Sequence, residues 1–169
     1  LRLVGSEMCI RDSYGRDKIE EYKINTLTTR QYGGTLSWLA ADGTDEEQTD
    51  GIGATEAIEQ LESFSKTGQN FFLAVGMYRP HTPFVAPKKY FDMYDRNSIE
   101  IPYNGTNDEY LKTIPKTAAN SIRLKKNQIK LNLKSNKKLA QEIKEAYFAT
   151  TTFVDAQIGR ILKKLKQTG

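Results

Sequence analysis

The run 71-FFLAVG-76 decides the fold class of this 169-residue chain. It is continuously apolar rather than alternating, which is typical of a strand buried on both faces in a parallel sheet. Just upstream, apolar residues recur at helical spacing over residues 54–64. Thr49 or Asp50 would cap the start of this helix, and Gly68 would end it. A helix followed by a buried strand is half of an α/β crossover unit, so the sequence predicts an α/β fold.

Weaker patterns predict further elements on either side. The segment 35-TLSWLA-40 is expected to form a short strand or turn, with Trp38 as its anchor. Prolines at positions 80, 83 and 87 exclude helix until 88-KKYFDMYD-95, which can form a short one. Residues 97–137 contain two more prolines and several asparagines, and a long, partly irregular excursion is expected there.

The segment 138–166 has the strongest helical pattern in the chain. One stripe is expected along that helix, made of Leu139, Ile143, Ala146, Tyr147, Thr150, Val154, Ile158, Ile161, Leu162 and Leu165. Gly169 would suit the position that follows a helix end.

Composition and charge narrow the class of protein. Hydrophobic residues make up 38% and charged residues 27% of the chain, which fits a soluble globular protein. No apolar run reaches 18 residues, so no membrane span is predicted. Residues 42–62 hold eight acidic and no basic side chains, whereas residues 116–138 hold eight basic and no acidic ones. The basic run has no aromatic residue for base stacking, so a solvated lysine-rich face is favoured over a nucleic-acid site.

The first segment, 1-LRLVGSEMCIRDS-13, looks foreign to the rest of the chain. It resembles read-through translation of sequencing-adaptor sequence and is expected to be an artefact, with the native part at 14–169. No apolar signal-peptide core is recognisable in it. Cys9 is the only cysteine, so no internal disulfide or thiolate metal cluster is predicted, and its neighbours offer no base to activate it.

The only histidine, His81, lies five residues beyond the apolar run 71–76. Ligands of open α/β sheets bind outside the carboxyl ends of the strands, and flanking prolines would limit the entropy lost in fixing the imidazole. Arg79, Lys88 and Lys89 add positive charge suited to sulfate or phosphate. The alternatives are a histidine that only bonds a neighbouring loop and an Arg79 that is only a surface ion-pair partner.

The stretch 71-FFLAVGMYRPHTPFVAPKKYFDMY-94 closely resembles the strand-and-loop segment of type I sulfatases, most of all the iduronate-2-sulfatase-like branch. The helices at 147-YFATTTFVDAQIGRILKKL-165 and 50-DGIGATEAIEQLE-62 are also similar to that family, so the resemblance spans most of residues 42–166. It implies an alkaline-phosphatase-like fold with a mixed, mostly parallel sheet flanked by helices. Residues 14–169 would be an incomplete part of that catalytic domain.

The resemblance also implies an activity, the hydrolysis of sulfate esters by a formylglycine nucleophile and a divalent cation, commonly calcium. His81 would contact the sulfate and donate a hydrogen bond near the bridging oxygen. Arg79 is the second candidate for substrate binding. Asp155 and Gly159 match the family's helix motif, where packing or capping is favoured over catalysis.

The departures from the family pattern concern the nucleophile and the metal site. The chain has no C-x-[PA]-S-R motif, because 9-CIRDS-13 has Arg at its third position. It has no Asp-Asp pair, and no Asp-His or Asp-Asn pair follows the last helix. The chain is therefore expected to be an internal fragment that is inactive alone, with nucleophile and metal ligands elsewhere in the protein. The alternative is a short, non-catalytic relative.

Two other functions stay open at this point. A phosphatase or phosphodiesterase of the same superfamily would differ in its nucleophile, and a basic polyanion-binding module would use residues 116–138 with steep salt dependence. The resemblance implies sulfated sugars or polysaccharides as substrates. It also implies a periplasmic, secreted or lysosomal location.

Overall fold

The computed structural model describes residues 2–4, 25–26, 37–101, 111–122 and 136–169. The chain divides into two units, residues 1–95 with 145–169 and residues 96–144. The strands in the described ranges are β1 (Arg2–Val4), β2 (Asn25–Thr26), β3 (Ser37–Ala41), β4 (Leu73–Val75) and β5 (Phe84–Pro87). The helices there include α1 (Thr49–Thr67), α2 (Lys88–Phe91), α3 (Lys116–Ile122) and α4 (Lys137–Thr168).

The described part of the first unit contains two small sheets. β1 and β4 pair in parallel, with Leu3 opposite Ala74. In the other sheet, β3 pairs with β2 in antiparallel fashion and with β5 in parallel, with Trp38 opposite Phe84. Parallel strands joined through helices confirm the predicted α/β class. β1 falls inside the segment that the sequence sets apart as foreign, and the origin of residues 1–13 stays a prediction.

Helix α1 confirms the predicted helix and its end. Gly68 follows the last turn with φ +63°, a left-handed conformation that glycine adopts without a steric cost. The predicted cap is wrong, because Gln48 occupies the capping position while Thr49 and Asp50 lie inside the first turn. The Asp50 carboxylate instead accepts hydrogen bonds from a loop far along the chain.

The environment of β4 differs from the prediction. The strand is parallel, as expected, but its three residues are half-buried, and Phe71 and Phe72 before it are 46% and 65% exposed. Two-sided burial of the run 71–76 is therefore wrong for this structure. A strand is buried on both faces only where other elements pack on both, and the half-buried residues of β4 show that the described elements do not cover it in this way.

The sequence does not predict the strand β5, because prolines occupy positions 83 and 87 and Pro is normally confined to strand ends and edges. Pro87 is in fact its last residue, and all four residues of β5 are buried. Val85 packs with Leu39 and Ala41 of β3 in one hydrophobic cluster. The short strand or turn predicted around Trp38 is a strand, β3, with Trp38 5% exposed.

The short helix α2 confirms a helix after Pro87 but covers only the first half of the predicted 88–95, and α4 confirms the long helix. The predicted stripe is only partly buried. Its members Tyr147, Ile158, Leu162 and Leu165 are exposed by 41–51%. The buried face of the helix includes four members of that stripe, Ile143, Ala146, Thr150 and Val154, and three residues off it, Ala149, Phe153 and Gln157. It is offset because Phe153 packs edge-on against Tyr90, with ring centroids 5.5 Å apart, and Gln157 bonds Asp45.

The second unit is built on the first turns of α4. The Gln141 side-chain amide donates to the carbonyls of Asn97 and Ile99, at 3.1 and 3.0 Å. This places the short 3-10 turn at Arg96–Ser98 against the helix. The predicted excursion 97–137 contains α3, and its lysine-rich positions 123–135 lie outside the described residues. None of the helices in the described ranges combines the length and apolar character that a membrane crossing requires.

Candidate functional site

Residues 76–83 connect β4 to β5 and form what we call the histidine loop. It carries both predicted site residues, Arg79 and His81. The backbone amide of His81 donates to the Tyr78 carbonyl at 3.0 Å, which closes a tight turn. The Arg79–Pro80 and Thr82–Pro83 peptide bonds are both cis.

The imidazole of His81 is exposed and has one fixed nitrogen. Nδ1 lies 2.6 Å from the Thr82 carbonyl oxygen. A carbonyl oxygen only accepts, so Nδ1 must carry the hydrogen of this bond. The Tyr78 ring lies beside the imidazole, with centroids 5.5 Å apart and planes at 52°. Nε2 is thus the nitrogen that can meet a ligand, and it donates a hydrogen bond when the imidazole is protonated.

Arg79 is buried, with 5% of its surface exposed. Its Nε donates to the Val85 carbonyl at 2.9 Å, and its guanidinium carbon lies 5.0 Å from the centre of the Tyr78 ring. The side chain therefore ties the histidine loop to β5 rather than lying on the surface as an ion-pair partner. Its predicted part in substrate binding stays a prediction.

The lysines expected to add positive charge near His81 both have acidic partners. Lys88 pairs with Asp92 one helical turn further along α2. Lys89 pairs with Asp45, with its Nζ 2.7 Å from Oδ1. Each partner offsets the charge that the lysine would offer to an anion.

The histidine loop is anchored by Asp50, which is 1% exposed in the first turn of α1. Its Oδ1 accepts from the Tyr78 amide at 2.7 Å, and its Oδ2 accepts from the Arg79 amide at 2.9 Å. The sequence showed only the capping potential of this aspartate. No local pattern signals partners that lie 28 and 29 positions away.

Asp45, five positions before Asp50, accepts hydrogen bonds from several side chains. Oδ2 of Asp45 accepts from the Tyr90 hydroxyl at 2.6 Å and from the Gln157 amide at 3.1 Å. Burial alone would raise the pKa of the Asp45 carboxyl, but hydrogen bonds from Lys89, Tyr90 and Gln157 outweigh it and lower the pKa below its ordinary value. Burial, together with the bond to Asp45, raises the pKa of the Tyr90 hydroxyl, which therefore stays protonated and donates.

The family's helix-motif residues lie at the surface of α4. Asp155 and Gly159 are both exposed, and a Cβ added at Gly159 would meet nothing within 4 Å. The described residues therefore show neither position packed or capping, contrary to the expectation for them.

No group of three or more His, Cys, Asp or Glu side chains in the described ranges could hold a metal ion. The residues of this part of the chain thus do not fit the divalent cation that the resemblance implies. Cys9 and the pair 107-ND-108 lie outside the described residues.

Almost the whole chain is similar to a known protein family. The family described as Sulfatase matches residues 5–169. The chain belongs to the sulfatase family. This confirms the resemblance drawn from the strand, the PH-x-P loop and the two helices.

Curated sulfatases from bacteria and from human are also similar to this chain. A protein named Sulfatase from Formosa agariphila is 34% identical over 143 residues, which cover 82% of this chain and 26% of the relative. Human Iduronate 2-sulfatase is 30% identical over 118 residues, covering 65% of this chain and 21% of the relative. An Arylsulfatase from Clostridium perfringens is 36% identical over 99 residues, covering 59% and 19%. The chain thus spans about a quarter or less of the length of these sulfatases.

Proposed function

We propose that the protein containing this chain hydrolyses sulfate esters and that His81 faces the ester. The observation that carries the proposal is the His81 side chain itself. It is exposed, its Nδ1 is held by the Thr82 carbonyl, and its Nε2 is presented on a loop that a buried carboxylate anchors. Membership of the sulfatase family supports the assignment of sulfate as the group that this nitrogen meets.

The proposed role of His81 is to stabilise the leaving oxygen. When the S–O ester bond breaks, the bond's electron pair and negative charge go to the alcohol oxygen. A protonated imidazole donates from Nε2 to that oxygen and transfers the proton as the alcohol leaves, which lowers the barrier. The bond from Nδ1 to Thr82 orients the ring for this donation.

The other parts of the proposed reaction lie outside the described residues. The formylglycine nucleophile and the divalent cation, commonly calcium, that the family implies would be supplied by other residues of the protein. The proposal includes the alkaline-phosphatase-like fold, of which the two small sheets and their helices would be a part.

Arg79 is proposed as a second substrate-binding residue, below His81. Its Nε is used by the Val85 carbonyl, so a sulfate contact would have to use the terminal guanidinium nitrogens. Arg79 also holds the loop to β5, and its loss would affect both the loop and any substrate contact.

The proposed substrates are sulfated sugars or polysaccharides, and the proposed location is periplasmic, secreted or lysosomal. The name Iduronate 2-sulfatase of the human relative supports a sugar sulfate. The name Arylsulfatase of the bacterial relative supports an aryl sulfate as the assay substrate. Turnover of the corresponding aryl phosphate, measured in parallel, separates this proposal from a phosphatase of the same superfamily.

The test is substitution of His81 in the complete protein, with kcat measured on an aryl sulfate. We expect His81→Ala to lower kcat by roughly 10²- to 10⁴-fold, the range for loss of a general acid. Formylglycine content and bound metal are measured in each variant, so that a loss of activity is assigned to His81. Wild-type turnover by His81→Ala would contradict the proposed role.

Two amide variants separate the two nitrogens of the ring. The amide nitrogen of His81→Asn occupies the Nδ1 position and can still donate to Thr82, whereas that of His81→Gln reaches the Nε2 position. If Nε2 meets the ester, the Gln variant keeps more activity than the Asn variant. The reverse order would indicate that the imidazole only holds the loop.

A further inference from the structure

We infer that Asp50 is the positioning residue for His81. The inference rests on the proposed function and adds a residue through which the histidine acts. Asp50 itself lies in the first turn of α1 and is almost fully buried, so it does not meet the substrate directly.

A short chain of hydrogen bonds leads from Asp50 to the backbone of His81, and a ring contact continues to its imidazole. The carboxylate accepts from the amides of Tyr78 and Arg79, at 2.7 and 2.9 Å. The Tyr78 carbonyl accepts from the His81 amide at 3.0 Å, and the Tyr78 ring lies beside the imidazole. A shift of Tyr78 would therefore move both the backbone and the ring of His81.

The chemistry of the anchor requires a carboxylate. Burying a charge is costly unless hydrogen bonds compensate it, and the two amides supply such bonds to both oxygens. An asparagine has one acceptor oxygen, and its NH2 group would face one of the two N–H groups. One amide of the loop would then lose its partner, and the loop would move away from it.

The anchor is placed on a rigid element. Asp50 lies in the first turn of a helix of 19 residues, and the backbone beside it approaches the preceding turn closely. A Cβ added at Gly51 would lie 1.7 Å from the Asp45 carbonyl oxygen. From the other side, Arg79 ties the loop to the Val85 carbonyl of β5. Groups held by rigid elements keep the narrow tolerances that catalysis needs.

The first test is Asp50→Asn in the complete protein, alone and combined with His81→Ala. We expect Asp50→Asn to lower kcat on an aryl sulfate by roughly 10- to 100-fold with a smaller change in KM, since a misplaced catalytic group has effects of this size. In the His81→Ala background the same substitution should change kcat less than about twofold, because the group it positions is absent. Losses that simply multiply would overturn the inference.

A second readout does not depend on turnover. Amide hydrogen exchange of a peptide covering residues 77–83 should be faster in Asp50→Asn, since one amide there loses its acceptor. Gln157→Leu is the control, because it removes a buried hydrogen bond elsewhere on the same unit. It should lower stability while leaving both kcat and exchange in 77–83 unchanged.

The outcomes separate this inference from the proposed function. Faster exchange with wild-type kcat in Asp50→Asn, beside a large loss in His81→Ala, would overturn the role of Asp50 and leave that of His81. Wild-type turnover in His81→Ala would overturn both. Asp50→Glu keeps two acceptor oxygens, so kcat above that of the Asn variant supports positioning, whereas equal kcat in both variants with only lowered Tm contradicts it.

Discussion

Asp45 lies in the short 3-10 turn before α1 and Asp50 lies five positions further on, in the first turn of α1. Both are buried, and they bind different kinds of partner. Asp45 accepts from side chains on two other helices, Tyr90 of α2 and Gln157 of α4. Asp50 accepts from two consecutive backbone amides of the histidine loop. The same type of side chain thus joins two helices at Asp45 and fixes the backbone of a loop at Asp50.

In this unit, Asp45 contributes mainly to the stability of helix packing, whereas Asp50 determines mainly the position of the histidine loop. Side chains can adjust their rotamers when a partner changes, so losing the Asp45 network weakens the packing of helices without dictating one backbone path. Backbone amides have no such freedom, so the Asp50 carboxylate sets the position of the residues it binds. A substitution of Asp45 should therefore lower stability more than turnover, whereas a substitution of Asp50 should lower turnover more than stability.

The largest expected loss of stability follows Asp45→Ala in the complete protein. The variant leaves the buried Tyr90 hydroxyl and Gln157 amide without their acceptor, and the free energy of unfolding should fall by about 3 kcal/mol. Denaturant unfolding measures this, and kcat of the folded variant should stay within about twofold of wild type. If Asp45→Ala lowered kcat more than Asp50→Asn, the contrast between the two sites would be wrong.

How much of this contrast the sequence could predict depends on distance along the chain. Helix α1, its end at Gly68 and the proline-bounded histidine loop follow from local patterns, because periodicity and turn residues act over a few positions. The partners of the two aspartates do not. Gln157 lies 112 positions from Asp45, and no spacing rule connects them.

The buried face of α4 shows a second limit of pattern reading. An apolar stripe predicts which side of a helix is buried only if apolar side chains alone fill the core. Gln157, which lies off the predicted stripe, is 0% exposed, while Ile158 and Leu162 on the stripe are 41% and 51% exposed. Gln157 is buried because its side-chain amide donates to Asp45, and a hydropathy pattern does not predict the burial of a polar side chain.

The acid dependence of stability sharpens the comparison, with a smaller effect than removal of the side chain. The pKa of Asp45 is lowered in the folded chain, where donors from Lys89, Tyr90 and Gln157 outweigh burial. The carboxylate therefore contributes stability above the ordinary aspartate pKa of about 3.9, and this contribution is lost as pH falls through the lower folded value. Unfolding midpoints between pH 6 and 2 should decline less steeply for Asp45→Asn than for wild type. Parallel curves would show that Asp45 titrates alike in both states.

The smallest expected effect comes from two neighbouring lysines of α2. Lys88 pairs with the exposed Asp92, whereas Lys89 pairs with the buried Asp45, and the two lysine side chains are similarly exposed at 62% and 60%. A surface pair of this kind contributes about 0.3 kcal/mol, so Lys88→Ala should shift Tm by about 1 °C or less. Lys89→Ala should lower Tm more, because it removes a charged donor from a carboxylate with little access to water. Equal changes in Tm would mean that burial of the Asp45 carboxylate does not strengthen its pair with Lys89. The contribution of Asp45 to stability would then come from Tyr90 and Gln157 alone.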